Sequence, residues 1–189
     1  MTDANLEHAH IKWLDDGFPE STAYGDQYFC GRGLEESQYV FLQQSSLAER
    51  FQTQERVVVA ETGFGTGLNF LASWKLLAEQ NFASELHYYS VEKFPLSSGD
   101  LEKALALWPE LEDYGKELWQ KLPALEPGRH DISLANNKVH LTLLYGDIME
   151  VLPEVELSAD IWYLDGFAPK LNPEMWRSEV FEQMAAKSK

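Results

Sequence analysis

The chain has 189 residues, of which 44% are hydrophobic, and carries a formal net charge of −16. That apolar share builds one packed domain and excludes a disordered chain, while no apolar run reaches the ~20 residues that cross a bilayer as a helix. The acidic balance speaks against a free-standing nucleic-acid binder, which presents a basic face, although an acidic domain can act on RNA when another domain supplies the positive groove.

Residues 1–10 lack the basic and apolar pattern of a secretory leader, so the cytoplasm is the expected compartment and no membrane partner is expected. Residues 11–14 suit a short strand, closed by the turn residues Asp15, Asp16 and Gly17 and by Pro19. Residues 21–33 mix Tyr24, Asp26, Tyr28 and Phe29 with glycines and read as a loop. Cys30, the single cysteine, excludes an intrachain disulfide and speaks against a zinc cage. It reads as a small buried or half-buried side chain rather than a nucleophile. Residues 34–51 read as one helix, with Leu34, Val40, Phe41, Leu47 and Phe51 on a broken apolar face and Glu35 and Glu36 near its positive end. The chain thereby divides into an N-terminal extension, 1–53, which covers a ligand site or packs on the sheet, and an α/β core, 54–189.

The core opens on the β-branched run Val57, Val58 and Val59, suited to a buried parallel strand. Glu61 and Thr62 follow, then glycines at alternate positions, Gly63, Gly65 and Gly67. Leu68, Phe70, Leu71, Trp74, Leu77 and Ala78 recur at helical spacing to about residue 80. Strand, glycine turn and helix form the first unit of a nucleotide-binding α/β sheet, the glycines allowing positive φ and a close approach of backbone to ligand. The spacing differs from the G-x-G-x-x-G of dinucleotide sites, and Glu61 would repel a pyrophosphate while suiting a cationic amino-acid tail. The pattern E-x-G-x-G-x-G instead resembles motif I of S-adenosylmethionine-dependent methyltransferases.

Residues 86–91 form a second core strand ending in Glu92, 25 residues after Gly67, where a carboxylate can accept two hydrogen bonds from a ribose diol. Residues 101–108 and 111–122 read as helices on either side of Pro109. Residues 130–134 and 139–145 form a hairpin about Asn136 and Asn137, on which His130 and His140 read as structural, without ligand-like neighbours. Asp147 then caps the helix 148–152, accepts a hydrogen bond from an adenine amino group, or does both. Residues 160–165 are the fourth main strand, followed by a loop stiffened by Pro169 and Pro173 and a helix carrying Trp176, Val180, Phe181 and Met184.

Open α/β sheets bind ligands at the carboxyl ends of their strands, and Glu61, Glu92, Asp147 and Asp165 all fall at such ends. The loop Asp165-Gly166-Phe167-Ala168-Pro169 resembles the Asp-Pro-Pro-Phe/Tyr loop of amino-group methyltransferases. There a carboxylate and a carbonyl aim an amine lone pair at the methyl group, an aromatic ring stacks on the base, and proline fixes the loop. An alkylammonium of pKa ~10.4 is only about one part in 10³ neutral at pH 7, so deprotonation costs roughly 4–5 kcal/mol. Asp165 is expected to orient the amine and, as a second role, to take or relay its proton. The sulfonium is already a good electrophile, so no metal is expected.

Asp26-Gln27-Tyr28-Phe29, Gly33-Leu34-Glu35-Glu36, Tyr39-Val40-Phe41-Leu42, the stretch from Glu61 to Phe70, Glu92-Lys93-Phe94-Pro95-Leu96, Trp108-Pro109-Glu110-Leu111, Gly146-Asp147-Ile148 and the stretch from Leu164 to Pro169 together resemble the methyltransferase domain of the MnmC-type tRNA-modifying enzymes. The resemblance covers nearly the whole chain. It implies a Rossmann-like class I fold and S-adenosylmethionine-dependent N-methylation of the 5-aminomethyl group of the tRNA wobble 2-thiouridine, giving 5-methylaminomethyl-2-thiouridine. It implies cofactor contacts from Glu61, Thr62, Gly63, Gly65, Gly67, Asn69, Glu92, Lys93, Gly146, Asp147 and Tyr28. Asp165 would be catalytic, with Phe167, Pro169 and Asp26 on the substrate and residues 26–29 closing over the site. In two-domain members an FAD-dependent oxidoreductase domain first removes a carboxymethyl group; that domain is absent from this sequence. A complete domain of this class has seven strands, so the resemblance also implies that C-terminal strands are missing, that the edge of the fourth strand is exposed, and that the missing part supplies the basic tRNA surface. An amine methyltransferase acting on a small molecule or protein, and an inactive interaction fragment, are the competing readings.

Overall fold

The computed structural model describes residues 6–189; the first five residues of the N-terminal extension lie outside the described residues. Strands β1 (Ile11–Trp13), β2 (Pro19–Ser21) and β3 (Asp26–Gln27) form a small antiparallel sheet. Only β1 is expected from the sequence. β2 and β3 fall where a turn and a loop are read, because two or three residues carry too little alternation to register as a strand. This sheet docks on the core through Trp13, whose indole N–H donates to Asp100 (3.2 Å) and whose ring lies under Lys103 Nζ (3.9 Å).

The single helix expected over 34–51 is broken into α1 (Gly33–Ser37), a π-helical turn (Gln38–Gln43) and α2 (Leu47–Thr53). Ser45 accounts for the break. Its hydroxyl donates to the carbonyls of Phe41 and Leu42, taking acceptors from the helical ladder, and Ser46 turns left-handed at φ 53°.

The core follows the expected alternation: β4 (Arg56–Thr62), α3 (Leu68–Glu79), β5 (Glu85–Glu92), α4 (Ser98–Leu105), α5 (Glu112–Trp119), β6 (Gly128–Leu134), β7 (Val139–Tyr145), α6 (Ile148–Val151), β8 (Ile161–Tyr163) and α7 (Ser178–Ala186). The five strands lie in the order β6-β7-β5-β4-β8, parallel except for β6. Val57, Val59, Leu86, Tyr88, Leu141 and Leu143 pack in one buried cluster with Phe70, Leu71 and Trp74 of α3. Val91 and Leu144 pack on the other face against α6 and α7. The chain moves outward from β4 to β5 and β7, then returns to the far side of β4 with β8. That reversal opens a crevice above the carboxyl ends of β4 and β8, the place where such sheets hold ligands.

β4 is the one strand of the described sheet paired with β8. At the start of that strand Asp160 closes the ladder: its Oδ2 accepts the Val58 N–H (2.8 Å), and Lys189 Nζ donates to both its oxygens (2.8 and 2.9 Å). Beside it, Ala159 pairs in parallel with Ser188. Asp160→Ala leaves the N–H of buried Val58 without an acceptor, and the expected cost is about 1–3 kcal/mol. A lower urea midpoint with an unchanged slope would register it.

Candidate active site

A cavity of about 470 Å³ lies above the crevice, walled by the glycine turn after β4, the loop after β8, the ends of β5 and β7, and the β2–β3 region and α1 from the N-terminal extension. Gly63, Gly65 and Gly67 hold φ values of 106°, 51° and 75°, the left-handed region that favours glycine. The N–H groups of Gly63 and Phe64 both donate to the Val91 carbonyl (3.0 and 3.1 Å), pinning the turn to β5. A Cβ on Gly63 would stand 2.9 Å from the Asp165 carbonyl oxygen, so the bare glycine lets the loops after β4 and β8 approach each other. A Cβ on Gly65 would meet the Tyr28 ring at 3.3 Å.

Glu92 lines the cavity on the β5 side. Its Oε2 accepts the Gly65 N–H and its Oε1 the Phe94 N–H, both at 2.8 Å, leaving further lone pairs on each oxygen for a ligand. Burial raises its pKa and these backbone donors oppose the rise. Asp147 does cap α6, accepting the Met149 N–H (3.0 Å), and its other oxygen receives Lys93 Nζ (3.0 Å). Burial works upward on the Asp147 carboxyl, but the Met149 N–H and Lys93 outweigh it and hold its pKa below the ordinary carboxylate value. Lys93 also reaches Glu174 (3.5 Å), and Lys93, Gly146 and Asp147 all line the cavity.

On the β8 side the hub is Asn69, in the first turn of α3. Its amide nitrogen donates to Asp165 Oδ2 (2.6 Å) and to Glu61 Oε1 (3.0 Å), and its oxygen accepts the Ser37 hydroxyl (2.5 Å). Asp165 sits at the rim and is exposed as a residue, yet the protein around its carboxyl desolvates it enough to push the pKa up to about 6; Asn69 opposes the rise and Glu36 adds to it. Phe167 lies against Tyr24 (ring centroids 4.7 Å, stacked) and Tyr28 (5.1 Å, edge-on), and all three line the cavity with Asp26.

Glu61 does not take the place expected of it. Its side chain is buried beneath the turn, accepting from Asn69 and from the Ser90 hydroxyl (2.7 Å), and is absent from the cavity wall. Burial, then the charge of Asp165, pushes its pKa up to about 8. Three of the four strand-end carboxylates therefore line the cavity and the fourth supports them from below. Thr62, Gly67 and Pro169 are also absent from the wall: Thr62 is buried, Gly67 starts α3 against the Phe64 ring, and Pro169 is exposed. Cys30 is exposed, not buried or half-buried as expected, because it follows the buried Phe29 at the cavity edge. Ser37, Tyr24 and Glu36 are not singled out as site residues in the sequence. The spacing of Ser37 within an otherwise apolar helical face is the one signal that marks it.

A family described as S-adenosyl-L-methionine-dependent methyltransferase matches residues 109–189. The chain is 48% identical over 185 residues to the tRNA 5-methylaminomethyl-2-thiouridine biosynthesis bifunctional protein MnmC of Pseudomonas fluorescens, covering 95% of this chain and 28% of the relative. It is 49% identical over 183 residues to the protein of the same description from Chromobacterium violaceum, covering 94% and 28%. The chain thus spans little more than a quarter of the length of these relatives. The crystal structure of MNMC2 from Aquifex aeolicus superposes with a TM-score of 0.74 at 24% identity, over 98% of this chain and 58% of that one, a likeness of fold. Over nearly its whole length the chain is similar in sequence to about a quarter of the MnmC-type bifunctional proteins, its residues 109–189 match a family of S-adenosyl-L-methionine-dependent methyltransferases, and its α/β fold is like that of MNMC2.

Proposed function

We propose that this chain is an S-adenosylmethionine-dependent N-methyltransferase acting on the 5-aminomethyl group of a tRNA wobble 2-thiouridine. The observation that carries the reading is one cavity with Glu92 on one side of a glycine turn and Asp165 with Phe167 on the other. The residues fit the cofactor. The cavity is of small-molecule size, Gly63 and Gly65 present no Cβ to it, and Glu92 keeps lone pairs for a ribose diol. In this reading Asp147 and Gly146 face the adenine, Lys93 closes that end, and Tyr28 covers the turn. S-adenosylmethionine, when bound, supplies an electrophilic methyl group on a sulfonium. Asp165, held by Asn69, accepts a hydrogen bond from the substrate amine and aims its lone pair; Phe167 offers a face to the base, with Asp26 beside it. Pro169 stiffens the loop from outside the cavity.

The tRNA part of the proposal rests on what the relatives' names say they make. The chain's charge of −16 favours a basic tRNA groove supplied from outside these residues. An FAD-dependent step, where it exists, belongs there too. No described helix is long and apolar enough to cross a membrane, and we assign the activity to the cytoplasm.

The deciding experiment offers labelled S-adenosylmethionine with hypomodified tRNA or with small primary amines. Label entering tRNA is the expected result; label entering only small amines would overturn the substrate, and no binding of S-adenosylmethionine would overturn the enzyme. Gly65→Val forces a β-branched side chain to φ 51° and against Tyr28. It is expected to weaken S-adenosylmethionine binding at least about tenfold, or ~1.4 kcal/mol, as read by calorimetry.

A further inference from the structure

Parallel strands covered on both faces read as continuous apolar runs. β5 and β7 break that rule on the face that carries α6 and α7. Their carboxyl-end residues there, Val91 and Leu144, pack under those helices. Toward the opposite end β5 presents Glu85 and then His87 on the same face, and β7 presents His140 as the register partner of His87. The two imidazoles stack with centroids 4.4 Å apart and planes 21° from parallel. His87 Nε2 is 3.2 Å from Glu85 Oε2, and one ligand atom from each of the three residues lies within 4.8 Å of the others. Glu85 is exposed and both histidines are half-buried, so solvent reaches the group. His140 therefore does have ligand-like neighbours; they come from the adjacent strand, which the linear sequence does not bring beside it.

We propose that Glu85, His87 and His140 bind a zinc-class divalent cation, with solvent completing the coordination. Two imidazole nitrogens and one carboxylate oxygen with an open fourth position suit zinc, at ~2.0–2.2 Å per ligand, whereas calcium and magnesium take all-oxygen sets. Ligand atoms in a tetrahedron of that size stand roughly 3.3–3.5 Å apart, so binding requires the stacked side chains to rotate and draw their ligand atoms together. Arg56, across from Glu85 on β4, works against the cation and Glu85 works for it. The site would clamp β5 to β7 away from the cavity and takes no part in methyl transfer.

Cobalt(II) is the probe, because tetrahedral binding gives it a visible absorption band and zinc displaces it. Titration of untagged protein is expected to show one site, with affinity falling at least about tenfold in His140→Ala and in the exposed variant Glu85→Gln, and unchanged in His130→Ala. Far-UV circular dichroism checks that each variant is folded, and Glu85→Gln keeps the test in force should His140→Ala misfold. A titration without a band, or one that Glu85→Gln leaves unchanged, would overturn the site.

Discussion

Replacing Asp165 with alanine is expected to lower methyl transfer by at least about 10²-fold and to leave S-adenosylmethionine affinity within a small factor of wild type. The size of the loss follows from what Asp165 does best. With a pKa of about 6 it is a far weaker base than a free alkylamine near ~10.4, so taking the amine proton outright runs roughly 6 kcal/mol uphill. Accepting an N–H hydrogen bond from an amine already neutral involves no such climb, and Asn69 holds the carboxylate in place for it at 2.6 Å. Orientation is therefore the larger part of its role. The pH dependence separates the two forms of the carboxyl. Asp165 is ionised above about pH 6, so kcat/KM should rise through that value in the wild type. In Asp165→Asn the extra slope below about pH 6 should vanish while the shallower amine limb at higher pH stays. Wild-type turnover in Asp165→Ala would remove the residue from the reaction.

The strand–glycine–helix unit is legible in the sequence because three local signals agree there: a valine run, glycines that need positive φ, and an apolar stripe at helical spacing. The hairpin of β6 and β7 is legible for the same reason, with Asn136 and Asn137 supplying its left-handed tip. The direction of Glu61 is less evident, though strand parity contains it. Glu61 shares a face with Val57 and Val59, the face that packs under α3, and Ser90 shares one with Leu86 and Tyr88. A carboxylate on that side meets Asn69 from below and not the ligand from above. Other features depend on distance in the chain. Ser37 reaches Asn69 across 32 residues, and His87 meets His140 only through the β5–β7 register. The break at Ser45 and Ser46 comes from a side chain competing with the backbone for acceptors, which apolar spacing does not reveal.

The buried position of Glu61 predicts that Glu61→Gln stabilises the protein at alkaline pH and flattens its pH profile. The folded pKa is about 8 against an ordinary value of 4.5, raised first by burial and then by Asp165. Below pH 4.5 both folded and unfolded chains hold the proton and the group contributes no difference. As pH rises the unfolded chain releases its proton while the folded one keeps it, and stability falls by ~1.4 kcal/mol per unit until about pH 8. Asp165 contributes a fall of the same sign whose window closes near pH 6, and the difference between wild type and variant separates Glu61 from the other groups that titrate between pH 6 and 8. Glutamine keeps the shape, still accepts from Asn69 and can donate to the Ser90 hydroxyl. Urea unfolding at pH 6 and pH 8 should therefore show the wild type losing about 2–3 kcal/mol more than the variant across the interval. Parallel loss in both proteins would place the Glu61 proton elsewhere. The same proton bears on the site: two ionised carboxyls on one Asn69 amide would repel, and a neutral Glu61 lets Asp165 alone carry the charge toward the cavity.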